Sequence, residues 1–331
     1  MARAAATALL ALTAACTSSG SNEDTAGTSP TVTGAGNGAA AATTVRSLSP
    51  AETDPGIDTR AGDHLVAVPA RATSIGRLLV FFPGTGGRPD QYRSLITRAA
   101  QLGYHAVSLD YENARSINFQ VCRNRPPGCL EAARLEILTG AESTYIEPDV
   151  DMTNTAFNRL TQLLVHERER HPDEGWDAYL TDGEPRWERI AVGGHSQGGG
   201  HAAMTARLHE VDRVLLFGAT EPAPWTLEPF ATPPERFWGL VHKQESNYNG
   251  ITRSWENLAL PGQPIEIELT PPQSPSHRLV TTVSECGGDD PTANGYYHNC
   301  YSAEPWMPPP TADGTPAFAP VWDHMLTGVN G

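Results

Sequence analysis

The chain has 331 residues, enough for one large domain with a substantial buried core. Its 38 acidic residues against 23 basic ones leave a formal net charge of -15, which opposes binding to the phosphate backbones of nucleic acids. Beyond the N-terminus, no apolar run reaches bilayer-spanning length and no basic amphipathic stripe appears, so the body of the protein is expected to be soluble.

The first residues, "MARAAATALLALTAAC", place Arg3 before a short apolar core and small residues before Cys16, the pattern of an export signal over 1–16. It resembles a bacterial lipoprotein signal, in which the cysteine after the cut is lipidated, although Thr13 stands where a larger aliphatic residue is usual. That resemblance implies a protein that is secreted or held by a lipidated Cys16 on the outer face of the cell membrane. Residues 17–58, rich in Gly, Ser, Thr and Ala, bury too little apolar surface to offset their ordering entropy and are expected to be a disordered tether.

Over 59–331, strand-like runs alternate with helix-like ones. "DHLVAVPA" and "GRLLVFFPG" predict the first strands. "PDQYRSLITRAAQLG" predicts a helix with Tyr92, Leu95, Ile96 and Ala99 on one face and Gly103 as its stop, and "YHAVSLDY" a third strand. Residues 111–150 are longer than a simple connection and predict a small insertion at the rim. A helix through "TNTAFNRLTQLLVHERER" follows, then a strand at "ERIAVGGHS" and a helix at "GGGHAAMTARLHE". "VDRVLLFGA", "RFWGLVHK" and "QPIEIELT" predict further strands, with a helix at "ITRSWENLAL" before the last of them. "SPSHRLVTT" contains another β-branched run, and "APVWDHMLTG" closes the chain as a helix. This order predicts an α/β protein with a mainly parallel, doubly wound sheet flanked by helices. In such sheets ligands bind beyond the carboxyl ends of the strands.

With Cys16 in the signal, Cys122, Cys129, Cys286 and Cys300 remain. An even count in an exported chain points to disulfides, and the short separations favour Cys122 with Cys129 and Cys286 with Cys300 among three formal connectivities. Neither pair has zinc-type spacing, so no metal site and no cofactor is expected.

After the strand at 190–193 comes "GGHSQGG", the G-x-S-x-G pattern in a strand–turn–helix context, with Ser196 at the turn. Here the chain resembles the α/β-hydrolase superfamily, over most of residues 60–328. The resemblance implies an oxyanion hole made by the backbone N–H after the nucleophile, that of Gln197, and one from the glycine-rich loop "FFPGTGG". Thr85 is the first choice in that loop and Gly86 the second, with Pro83 standing where histidine is common. It also implies an acid after a later strand, Glu245 in "VHKQESN" or Glu221 in "FGATEP", and a final histidine, His298 in "NGYYHNCYS" or His277 in "SPSHRLVTT". A Cys286–Cys300 bridge beside His298 is similar to the arrangement in secreted cutinase-like hydrolases. His195 and His201 are read as packing or rim groups, and Trp225 and Trp238 as core aromatics or pocket walls.

The expected function is therefore that of a monomeric serine esterase or lipase, acting on a small or polymeric carboxylic ester through Ser196, His298 and Glu245. Acyl transfer or peptide hydrolysis on the same fold, or a surface binding protein that has lost the chemistry, are the alternatives.

Overall fold

The apolar runs at 78–82, 213–217 and 237–242 lack a polar face, so each needs cover on both sides. The computed structural model describes residues 43–147, 149–270, 275–288, 290, 292, 293 and 295–328, and in it these runs lie inside a nine-stranded sheet. Its strands are β1 (Thr44–Leu48), β2 (His64–Val68), β3 (Leu78–Phe82), β4 (His105–Ser108), β7 (Ile190–His195), β8 (Arg213–Phe217), β9 (Phe237–His242), β10 (Ile265–Glu266) and β11 (Arg278–Thr281). A separate hairpin is formed by β5 (Leu180–Thr181) and β6 (Glu184–Pro185). The α-helices are α1 (Pro50–Thr53), α2 (Arg93–Gln101), α3 (Cys129–Thr139), α4 (Ala156–Arg170), α5 (Gln197–Leu208), α6 (Tyr248–Asn257), α7 (Tyr296–Asn299) and α8 (Ala319–Thr327).

The strand order is β1-β2-β4-β3-β7-β8-β9-β11-β10. The pairs β1–β2 and β2–β4 are antiparallel, and every pairing from β4 to β10 is parallel. Side chains alternate between two cores with the period of a strand. Leu78, Val80 and Phe82 of β3 pack with α3, α4, α5 and α6, whereas Leu79 and Phe81 pack with α2 and α8. The architecture is α/β, with a mostly parallel sheet between helical layers. From β3, the chain proceeds to β4 on one side, while β7 lies on the other, so a crevice is expected beyond the carboxyl ends of β3 and β7.

The ordered domain begins earlier than the composition suggests. Residues 44–58 were expected in the tether, yet β1 pairs with β2 from Thr44 opposite Val68 to Leu48 opposite His64, and Ile57 is buried. Arg46 holds the edge strand to the α4 region through Glu167 and Glu174. Backbone pairing, the buried Leu48 and Ile57 and the Arg46 ion pairs order this stretch, and the pairing partners do not show in its composition. The export signal, Cys16 and the tether up to residue 42 lie outside the described residues. At the far edge, the strand expected over "QPIEIELT" shrinks to Ile265–Glu266 because β11 is its one partner and the chain turns at once, Thr270 N–H donating to Glu266 O. The 111–150 insertion holds a π-helical turn at Ile117–Val121 and helix α3, joined by the Cys122–Cys129 disulfide. Trp225 and Trp238 are buried in the two cores. No described helix is long and apolar enough to cross a membrane.

One buried ion pair ties the strand layer to a helix. Asp110, just past β4, accepts from the backbone N–H groups of Arg60, Ala61 and Gly62 and from Arg159 of α4 at 3.1 Å. Both side chains of the pair are fully shielded from solvent. Replacing the acid leaves a buried guanidinium and three N–H groups without their acceptor, so Asp110→Ala is expected to cost about 3–5 kcal/mol in denaturant unfolding.

Candidate active site

Strand β7 delivers Ser196 to the crevice through a backbone that few residues adopt. Ser196 has φ 54° and ψ -120°, and α5 starts at the next residue. Its N–H donates to Phe217 O at 2.8 Å, and its carbonyl accepts from Gly199 N–H at 3.0 Å. The turn is possible because its neighbours have no side chains. A Cβ on Gly194 would lie 2.2 Å from the Gly198 carbonyl carbon, and one on Gly198 would lie 2.0 Å from Phe82 O. The helix N-terminus is thus pressed against the ends of β3 and β7, with its partial positive charge at the serine.

The loop after β3 faces the same place. Asn113 Nδ2 donates to Gly84 O and Gly87 O, both at 2.8 Å, and Gly86 N–H donates to Asn113 O at 2.8 Å. Gly86 is therefore committed elsewhere. The backbone N–H groups of Thr85 and Gln197 have no hydrogen-bond partner among the described residues. Thr85 Oγ1 and Ile117 N–H both donate to Gln197 Oε1, at 3.1 and 2.8 Å, which joins the β3 loop, the start of α5 and the insertion.

The two candidate acids have different partners. Glu245, three residues past β9, is bonded through Oε1 to His298 Nδ1 at 2.8 Å and accepts from the Tyr301 hydroxyl on Oε2 at 2.8 Å. Because a carboxylate only accepts, Nδ1 carries the proton and Nε2 is the basic nitrogen of His298. Burial and the adjacent Glu245 carboxylate push the Tyr301 phenol well above its usual pKa, so it stays a donor. Glu221 is instead clamped by buried Arg134 at 2.9 and 2.6 Å and by the Thr220 hydroxyl at 2.7 Å. Burial alone would raise the Glu221 carboxyl, but Arg134 and Thr220 outweigh it and hold its pKa below the usual value. Arg134 also donates to Gln197 O at 2.9 Å, so this pair supports the first turn of α5.

The two candidate histidines separate as clearly. His298 lies on α7, followed two residues later by Cys300, which is disulfide-bonded to Cys286. His277 precedes β11, at the opposite end of the parallel strands from Ser196. There its Nδ1 meets Phe237 O at 3.0 Å and its ring stacks on Trp238 at 3.5 Å, while burial lowers its pKa to about 4.

His195 was expected to be a packing or rim group, and the structure gives it a defined set of partners. Its Nε2 donates to the His298 carbonyl at 2.9 Å, which makes Nδ1 an acceptor for the Tyr92 hydroxyl at 3.0 Å. Tyr92 in turn accepts from Gly84 N–H at 3.0 Å. The chain Gly84–Tyr92–His195–His298 links the β3 loop to the histidine loop. Burial, with the neighbouring His298 ring, keeps His195 well below the usual histidine range and therefore neutral. His201, deeper in α5, is a buried ring beside Phe82 and Tyr111.

Ser196, Gln197, Thr85, Glu245 and His298 all line one cavity of about 830 Å³. No group of His, Cys, Asp and Glu that could hold a metal is found among the described residues. No protein-family model matches the chain, and no curated protein is significantly similar to it. Asn113, Arg134 and Tyr301 escaped the sequence reading, and Tyr92 was read only as part of a helical face, whereas it ends the short turn before α2. Tyr301 stood beside His298 in "YYHNCY", whereas Arg134 sits on a helix whose apolar pattern is too even to show a buried face.

The glycine packing yields a direct expectation. Gly198→Ala forces a methyl into the Phe82 carbonyl, so it is expected to destabilise the fold by about 3 kcal/mol, at the upper end of overpacking costs, and the loss will register as a lower unfolding midpoint.

Proposed function

We propose that the chain is an exported serine hydrolase of the α/β-hydrolase type that cleaves carboxylic esters. The observation that carries this reading is the 2.8 Å Glu245–His298 pair on the cavity that also holds Ser196, at a positive-φ turn before a helix. In the proposed reaction His298 Nε2 removes the Ser196 proton as the oxygen attacks the ester carbonyl. Glu245 holds the ring and stabilises its charged form, itself fixed by Tyr301. The free N–H groups of Gln197 and Thr85 receive the oxyanion, each contributing about 3 kcal/mol of barrier reduction. His298 then gives its proton to the leaving alcohol, and water, activated by the same nitrogen, releases the acid. Export is supported by the two disulfides and by the N-terminal "MARAAATALLALTAAC", with lipidation of Cys16 as the proposed anchor.

The primary test is Ser196→Ala, expected to lower hydrolysis of p-nitrophenyl acetate by about 1,000-fold or more and to abolish labelling by a fluorophosphonate. Retained turnover would overturn the assignment.

The two glutamates give opposite signatures. Glu245→Gln is expected to lower kcat by about 100-fold or more at an unchanged unfolding midpoint. Glu221→Gln strips Arg134 of its counter-charge, so its main effect is a stability loss of about 3 kcal/mol.

His195 acts through another residue. His195→Phe removes the hold on the His298 carbonyl, and kcat is expected to fall on the order of tenfold to a hundredfold with KM nearly constant. Cys300→Ser opens the loop that carries His298 and is expected to reduce both kcat and stability, the latter by about 3 kcal/mol.

A further inference from the structure

The wall of the cavity carries information about what fills it. Its charged residues, Arg134, Glu221 and Glu245, are all buried and engaged with one another or with His298 and Tyr301. None presents a free charge to a ligand. Branched aliphatic cover is also missing among the described lining residues: Ile251 is the one Leu, Ile or Val there, and it is 1% exposed.

The accessible lining is of two other kinds. Gln244, Ser246 and Asn247, on the segment from β9 to α6, are exposed neutral polar side chains. Among the aromatic lining residues, Phe119 of the π-helical turn is 72% exposed, and Tyr297 and Trp306 are half-buried. An amide presents both a donor and an acceptor, as a hydroxyl does, so neutral amides match a hydroxyl-rich surface without demanding charge. Aromatic rings supply flat apolar faces for the C–H side of such a molecule. Gln197 Nε2, buried and without a partner among the described residues, belongs to the same wall.

Resting on the hydrolase reading above, we infer that the substrate is an acylated carbohydrate: a short acyl group on an uncharged, polyhydroxylated alcohol. The acyl group is short because the described lining residues form no aliphatic channel, and the cavity of about 830 Å³ is then filled by the alcohol. Hydrolysis frees the sugar hydroxyl and the short carboxylic acid with water as the co-reactant.

The experiment compares kcat/KM of the full chain on p-nitrophenyl acetate, butyrate and octanoate, and on 6-O-acetylglucose, a primary acetate with its other hydroxyls free, against ethyl acetate. An apolar acyl channel raises kcat/KM about fourfold per added methylene, the equivalent of about 0.8 kcal/mol. Here no rise is expected from acetate to octanoate, and 6-O-acetylglucose is expected to exceed ethyl acetate by at least tenfold. Asn247→Leu and Phe119→Ala, on separate segments of the wall, are each expected to lower the ratio of kcat/KM on 6-O-acetylglucose to that on p-nitrophenyl acetate by at least fivefold. A steep rise with acyl length, or equal rates on the two acetates, overturns the carbohydrate assignment while leaving the Ser196 hydrolase intact. Absence of any Ser196-dependent ester cleavage or fluorophosphonate labelling overturns the hydrolase reading itself.

Discussion

Everything at the candidate site depends on how closely the N-terminus of α5 approaches the ends of β3 and β7. That approach is a backbone-on-backbone contact in which a single methyl on Gly194 or Gly198 would fall within 2.2 Å of a main-chain atom. The contact bends the chain sharply enough to give Ser196 its positive φ and to leave it on the crevice side of the sheet. It also leaves the N–H of Gln197, at the first position of α5, without a hydrogen-bond partner among the described residues. Strain at one residue persists because both neighbouring elements are buried and rigid. The turn at Ser196 and the start of α5 thus come from one packing event.

Around this point, separate parts of the chain are tied together by polar groups with defined roles. The β3 loop is fastened by Asn113 and Tyr92, the histidine loop by the Cys286–Cys300 disulfide and by His195. Because Tyr92 and His195 bond to each other, the loop bearing Thr85 and the loop bearing His298 share one hydrogen-bonded brace. Burial keeps that brace working, since a neutral His195 both accepts from Tyr92 and donates to the His298 carbonyl.

Two glutamates border the same cavity, and their surroundings divide their tasks. Glu245 meets a histidine and a tyrosine, so its carboxylate accepts from an imidazole and a phenol. Glu221 meets a guanidinium and is neutralised in place, underpinning the carbonyl of Gln197 through Arg134. Identical side chains therefore hold a histidine ring in one case and the helix start in the other.

The linear order of residues by itself determined the alternation of strands and helices, the elbow at Ser196 and the local pairing of the four cysteines. Each of these rests on short-range physics: apolar periodicity, the need for glycine at a crowded turn, and proximity along the chain. It also brought the acid and the base down to two candidates apiece. Tertiary structure alone gives these candidates different surroundings: Glu221 and Glu245 differ by which cation or ring reaches them across the fold, and His277 and His298 by the end of the sheet they occupy. The same holds for β1, whose order comes from pairing with β2, and for Arg134, Tyr92 and Tyr301, which acquire their roles from partners far away in sequence. A residue's local pattern records how its own segment folds. Its charge partner and its hydrogen-bond partner are set by where the other segments come to rest.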